Sequence, residues 1–477
     1  MSQHTTPAAC PPVPPLLSEV AHRRGAHRPA VRQRRCFTRL CALVWGRLWT
    51  VARPTLTQLL LAVGLHDAAW SAVYRLFSHA RVDYDTLRGC FLQQTLAQVP
   101  EEGPYVVALD GVQLPRSSQW MPGTSWLKCP RTPPWKPGIH RAQRYLHLEL
   151  LLPRWQGYSR ALPLRFVPAF PPKAVAGAAD PRSEATAAQA ELAHLRAALD
   201  AAGRAEQRVR ARGAGSDAGA ARWATRPART VLLVRRVRNR VLYDLPPAPR
   251  GRGRPRRYGP RAPTPQEWLH VAAAAGWTRA TITVRGRQIP LRYRVQGPYL
   301  RRGAPEQPLY LLVVKGSDHA RGRYRRQREP AFYLVNALAA DGHWVRPWPA
   351  VEVLAWAWQR WEVEGPHRAM KSGWGVGVVQ CWQPTATVRA VQVQLWSYAL
   401  LVLAGYRAWG YDRHPSTLRP AGLWWHGAVR WSLATLWRGY RHALASRPDF
   451  SPEWLGTQGT GAEQETWLHT LDAVLAA

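Results

Sequence analysis

Tyr105-Val106-Val107-Ala108-Leu109-Asp110-Gly111 is a compact apolar run that closes on a carboxylate and a glycine. A run of that length without polar interruption reads as a strand buried on both faces, and this one delivers Asp110 at its end. Downstream, residues 147–152 and 162–167 fit two more strands of a meander, with an Arg-bearing link over 154–160. Residues 185–210 then switch to an Ala-rich helical pattern with Leu192, Leu195 and Leu199 on one face. Strands return at 231–237, 281–284, 291–295, 310–314 and 332–335. Their alternation with Arg suggests one face on a core and one on phosphate. The Pro, Gly and Arg tract 246–263 lies between them as a loop. From Val351 the chain is helical and crowded with Trp, with a helical tail from about Leu418 and no internal repeat.

Upstream, residues 1–35 are rich in Pro, Arg and His without apolar periodicity and read as a flexible basic arm. Folding is expected to begin near Cys36. Leu56, Leu59, Leu60 and Val63 fall at helical spacing, Gly64 interrupts, and Trp70, Val73 and Phe77 resume the pattern. Two helices around a short turn fit either a helix-turn-helix DNA reader or a plain packing hairpin.

The 477 residues suffice for several domains and a large core. Lys and Arg total 66 against 29 Asp and Glu, a formal charge of +37 at a sequence pI of about 11.3. A polyanionic partner is the first expectation. The positive charge is almost entirely arginine, which binds phosphate through a planar fork, although a coding bias toward Arg, Ala, Pro and Trp would also favour it over Lys. Such a bias does not explain the deficit of acids. The longest apolar stretch, 395–405, is short and reads as a buried helix rather than a membrane span. Early prolines argue against a secretory helix, so an intracellular setting is expected. Six widely spaced cysteines without a Cys-x-x-Cys pair suggest neither a zinc cage nor a disulfide framework. The sixteen histidines contain no His-x3-His pair with acidic partners, and no zinc site is expected.

The segment Arg360-Trp361-Glu362-Val363-Glu364-Gly365-Pro366-His367-Arg368-Ala369-Met370-Lys371 is the richest in chemistry. Arg360, Glu364, His367 and Lys371 are spaced four, three and four apart and project from one helical face. A solvated salt-bridge face would show the same spacing. Paired with Asp110 far upstream, however, the carboxylate of Glu364 fits phosphodiester chemistry. There, carboxylates from separate elements hold two Mg²⁺ ions while Lys and Arg grip the flanking phosphates.

Val107-Ala108-Leu109-Asp110-Gly111 and Arg360-x3-Glu364-x6-Lys371 resemble the first and last acidic motifs of the bacterial IS4/IS701-type insertion-sequence transposases, which carry a DDE catalytic domain. The Glu364 motif is similar to that family's Tyr-x2-Arg-x3-Glu-x6-Lys signature, with Ala357 in place of the tyrosine. The likeness extends loosely from Thr55 to about Gly405, and Ala-Val-Tyr-Arg-Leu-Phe-Ser, from Ala72 to Ser78, resembles the family's helical N-terminal region. It implies an α/β fold: an RNase H-like mixed sheet flanked by helices, with a β-rich insertion and helical N- and C-terminal regions. The implied organisation is a basic disordered arm at 1–35 and a helical DNA-binding region at 36–100. The catalytic domain would occupy 101–230 and 336–410, interrupted by the insertion at 231–335, with a helical C-terminal region at 411–477.

The same resemblance implies Mg²⁺-dependent cleavage of double-stranded DNA at transposon ends, and joining of the freed 3′-hydroxyl to target DNA. Asp110 and Glu364 would hold the metal and Arg360 and Lys371 the phosphates. A dimer on DNA, a cytoplasmic and nucleoid-associated location in bacteria, and no membrane partner follow from it too. The family's middle Asp falls on Ala214 of Gly213-Ala214-Gly215-Ser216, with Asp217 three residues on. Loss of one carboxylate from a paired-metal site is expected to cripple catalysis. The alternative is therefore a transposase-derived DNA-binding protein that no longer cuts. A basic structural or RNA-binding protein would leave the Arg360 to Lys371 spacing unexplained.

Two further motifs have double readings. Pro249-Arg250-Gly251-Arg252-Gly253-Arg254-Pro255-Arg256-Arg257 resembles an AT-hook, with Arg252 and Arg254 on DNA, or is an ordinary basic loop that contacts DNA without reading sequence. Trp356, Trp358 and Trp361 could stack on splayed bases. Singly, each reads as helix core.

Overall fold

The structure, a computed structural model, describes residues 14–50, 53–66, 69–130, 132–133, 135–175, 180–213, 223–236, 238–248, 255–271, 276–321, 324–359, 361–378, 381–411 and 431–446. Its described residues fall into two compact units. One comprises Leu92–Lys371 with Cys381–Val388, the other Met1–Phe91, Ser372–Gln380 and Arg389–Ala477.

The first unit is built on one large sheet. Its strands are β1 Tyr105–Pro115, β2 Thr124–Lys128, β3 Ile139–Leu151, β4 Ala161–Pro168, β5 Val209–Gly213, β6 Thr230–Arg236, β7 Thr278–Val284, β8 Arg287–Arg301 and β9 Ala304–Val314. The hairpin β10 Ser317–Arg321 with β11 Tyr324–Arg328 follows, then β12 Ala331–Asn336, which rejoins the sheet, and the small pair β13 Leu338–Ala340 and β14 His343–Val345. The strand order is β2-β3-β1-β5-β6-β12-β9-β8-β7, with β4 also on β3. β4, β3 and β1 run antiparallel; β1, β5 and β6 run parallel. Three antiparallel strands followed by two parallel ones, with a crossover helix between the third and fourth, is the RNase H-like arrangement.

Parallel pairing demands that crossover, and helix Glu184–Ala201 supplies it. Ser183 caps the helix by accepting the Thr186 N–H, and Leu192, Leu195 and Leu199 are buried. The helix is shorter than the apolar pattern over 185–210 predicts. Gly203, at φ +76°, turns the chain out, and Val209–Gly213 is then claimed by the slot between β1 and β6. The insertion strands extend the sheet beyond β6. Their inner face, including Leu312, Val314, Tyr333 and Val335, packs on helix Ala350–Trp358.

β1 does not end at Asp110. Val112 and Leu114 keep the buried alternation, and antiparallel pairing with β3 continues to Pro115 opposite Ala142. The parallel pairing with β5 stops at Leu109 opposite Gly213. Asp110 is thus the first residue of β1 beyond the end of β5.

Arginines on strands are not all directed at solvent. Arg294 is 2% exposed, donates to the carbonyls of Trp268 and Val271, and lies 4.2 Å from the Trp277 ring centroid. Arg210, also 2% exposed, sits 3.8 Å over Trp348 and 3.2 Å from Glu352. Both are held by aromatic faces and acceptors inside the protein, so Arg294, on one of the strands read as alternating with arginine, is not turned to phosphate.

The second unit is helical. Within the stretch read as a flexible arm, Pro15–Gly25 forms a helix that buries Leu16, Leu17 and Val20. Helices Arg34–Trp49, Leu56–Leu61 and Trp70–Ser78 follow, the last two as the spacing predicts. Gly46 lets the first two touch, because a Cβ there would stand 2.2 Å from the Leu59 carbonyl oxygen. Helix Leu433–Ala445 completes the described part. Among the described residues one helix is long and apolar enough to cross a membrane, Pro384–Trp409, and 78% of its apolar window is buried. No described cysteine is in a disulfide.

Candidate active site

Asp110 faces His147 directly across β1 and β3, and Ala108 faces Glu149. Opposed residues of a sheet share a face, as do residues two apart on one strand. Asp110, His147 and Glu149 therefore project to one side. The same region is covered by the helical segment after β14. Val106, Ala108, Leu151 and Ala161 of the sheet form one apolar cluster with Trp356 and Val363. With Val363 seated there, helix Trp361–Arg368 brings His367 down onto the sheet one turn later.

The His367 ring stacks on that of His147, with centroids 4.5 Å apart at 26°. His147 Nδ1 and His367 Nε2 are hydrogen-bonded. Glu149 Oε1 lies 2.8 Å from His147 Nδ1 and 3.5 Å from His367 Nε2. Glu149 and His147 are both 0% exposed, and no hydrogen bond of good geometry reaches either Glu149 oxygen.

Burial pushes the Glu149 carboxyl up to about 8; the positive field of His367 opposes the rise and the nearby charge of Asp110 adds to it. Burial holds His147 well below the ordinary imidazole range, and the Lys371 ammonium pushes the same way. Asp110 and Lys371, both read from sequence as site residues, are thus brought to this cluster through their fields. Asp110 is half-exposed and accepts the Gly111 N–H at 3.0 Å. Lys371 lies in a π-helical turn, Ala369–Gly373, rather than on the regular helix that its spacing from Glu364 predicts. Glu364 is half-buried, one turn before His367 on the same helix. Its neighbour Glu362, 5% exposed, is engaged elsewhere, 3.0 Å from Arg285 at the turn between β7 and β8.

Arg360, Ala214, Asp217, Arg252 and Arg254 lie outside the described residues. Trp356 is core, with Arg154 and Arg210 over its ring, and Trp358 packs near Tyr333. The side chain of Trp361 lies outside the description.

His147 and Glu149 escaped the sequence reading, because a search for His-x3-His pairs with acidic partners passes over a His-x-Glu pair on a strand. His147, Glu149 and His367 offer ligand atoms that all lie within 4.8 Å of one another. Their grouping depends on a helix 220 residues away from His147. The local signal was a His-x-Glu pair on one strand face inside an apolar run. A carboxylate without hydrogen bonds, beside the charge of a second, fits a divalent cation.

The helical unit holds a cavity of about 390 Å³ whose lining includes Arg47, Arg53, Arg441, Trp374 and Trp437 and no carboxylate. Arg47 sits 4.7 Å from the Trp374 ring centroid, and burial with the nearby Arg441 charge lowers its pKa to about 10.

Residues 28–293 match the family profile described as DDE superfamily endonuclease. No curated protein matches the chain. Among solved structures, the cryo-EM structure of a piggyBac transposase synaptic complex with hairpin DNA is similar at 10% identity. The match covers 96% of this chain and 82% of that one, with a TM-score of 0.34. The fold assignment rests on strand order and not on this neighbour.

Proposed function

The chain belongs to the DDE superfamily endonucleases, and on that premise we propose that it is an insertion-sequence transposase of the IS4/IS701 type. It would cut double-stranded DNA at element ends to free a 3′-hydroxyl and join that end to target DNA. The observation that carries the reading is the position of Asp110. It is the first residue of β1 beyond the end of β5, on the sheet side covered by the helix that bears Glu364 and His367.

Asp110 and Glu364 would hold Mg²⁺. When bound, such an ion activates the attacking oxygen and stabilises the leaving one. Lys371 supplies a cation beside the site for a flanking phosphate, and Arg360 four residues before Glu364 suits the same role. Arg252 and Arg254 suit the duplex backbone further out. A dimer on DNA is the assembly that pairing two ends requires. The setting would be the bacterial nucleoid.

The test is strand cleavage of end-containing DNA with Mg²⁺, comparing the wild type with Asp110→Ala. Equal activity would remove Asp110 from the mechanism. A second reading, a DNA-binding descendant that does not cut, is favoured by Ala214, which follows the last residue of β5 where the resemblance places a carboxylate. Nicking gained only on Ala214→Asp would support it.

A further inference from the structure

We propose that His147, Glu149 and His367 form a binding site for a first-row divalent transition metal ion of the zinc class, held by two imidazole nitrogens and one carboxylate oxygen. Its donors do not include Asp110 or Glu364, which lie beside it on the same strand pair and helix, and it does not rest on the assignment of that pair. Three observations converge. Glu149 is fully buried with neither oxygen hydrogen-bonded, and a buried polar group left without a hydrogen bond costs free energy that a bound cation would recover. His147 Nδ1 and His367 Nε2 are hydrogen-bonded to each other and lie 2.8 and 3.5 Å from the same Glu149 oxygen. With each ring's proton on its other nitrogen, both can offer lone pairs to one cation. Ligands at about 2.0–2.2 Å from a tetrahedral ion stand roughly 3.3 Å apart, which the two Glu149 separations bracket. Such an ion would spread the rings to that spacing.

The donor set decides the class of ion. Mg²⁺ takes oxygen ligands and keeps its waters, while two His and one carboxylate with an open position is a zinc-type set. His147 and Glu149 come from one strand and share a face, so the strand presets their spacing and only His367 must dock. The Asp110 charge acts on Glu149 and the Lys371 charge on His147, with opposite signs.

The experiment uses the full chain, stripped with chelator and titrated with Co²⁺ while visible absorption is followed, then challenged with Zn²⁺ and with excess Mg²⁺. With excess Mg²⁺ filling any oxygen-ligand site, one Co²⁺ per chain is expected, with the intensified bands of four- or five-coordination, displaced by Zn²⁺ and not by Mg²⁺. His367→Gln, at a half-buried helical position, should weaken Co²⁺ binding by more than about 100-fold. Glu364→Gln should leave it intact, and Lys371→Ala should tighten it. Since a core variant could simply unfold, the isosteric Glu149→Gln is read by thermal midpoint. Zn²⁺ should raise the midpoint of the wild type and leave that of the variant unchanged. Co²⁺ titrations identical in wild type and His367→Gln overturn the proposal, as does a complex lost in Glu364→Gln but kept in Glu149→Gln. Co²⁺ binding that survives in a chain whose cleavage is indifferent to Asp110→Ala would leave the site standing and remove the nuclease assignment alone.

Discussion

Asp110 and Glu149 are two acids two rows apart on one sheet face, and their surroundings give them opposite characters. Asp110 is half-exposed at the point where the parallel ladder stops; Glu149 is sealed beneath a helix. Asp110→Asn should therefore slow strand cleavage by at least about 100-fold, as loss of a metal-site group does, while leaving duplex affinity unchanged in a gel-shift assay. Parallel loss of binding would show that the carboxylate acts in folding and not in chemistry. A residue far from the acids is similarly exposed to test. Gly157 has φ +73°, its carbonyl accepts Gln359 Nε2, and a Cβ there would stand 2.3 Å from the Thr283 oxygen. Gly157→Ala should cost about 1–3 kcal/mol in a denaturant titration. Asp110 was legible because it follows an apolar run. Glu149 was not, since a single acid inside such a run means nothing until its partner His367 is in place.

At the level of elements, periodicity identified β1, β4, β6, the crossover helix and the helical pair near Gly64. It failed where pairing overrode pattern. The Arg-bearing Val209–Gly213 lies where the helical pattern over 185–210 runs out, yet it pairs with β1 and β6 along its two edges and all five residues are buried. The length of β1 was hidden because Asp110-Gly111 resembles a stop, whereas the alternation resumes at Val112. The crossover helix depends on its cap, and Ser183→Ala should lower stability by about 1 kcal/mol, visible as a reduced thermal midpoint. An unchanged midpoint would mean that packing of the Leu192 face alone fixes the helix start.

For the whole chain, the charge of +37 and the acid response of the helical unit are the measurable properties. If DNA is the partner, log affinity should fall linearly with log salt, with a slope of several units; a flat dependence would discard the phosphate-based reading. His27 is 0% exposed, with Nδ1 bonded to the Arg23 carbonyl and its pKa lowered to about 4 by burial. The unfolded chain then binds this proton more readily than the folded one. Stability present above pH 6.5 is lost as pH falls toward 4, by about 3 kcal/mol. His27→Phe should flatten that acid limb.

The separation of 220 positions from His147 to His367 also sets a clock. At a synthesis rate of about 5–20 residues per second, the strand carrying Glu149 leaves the ribosome on the order of 10–40 s before the helix that closes over it. A chain interrupted in that interval carries an acid and an imidazole with no lid, so premature termination yields a protein in which His367 never reaches them.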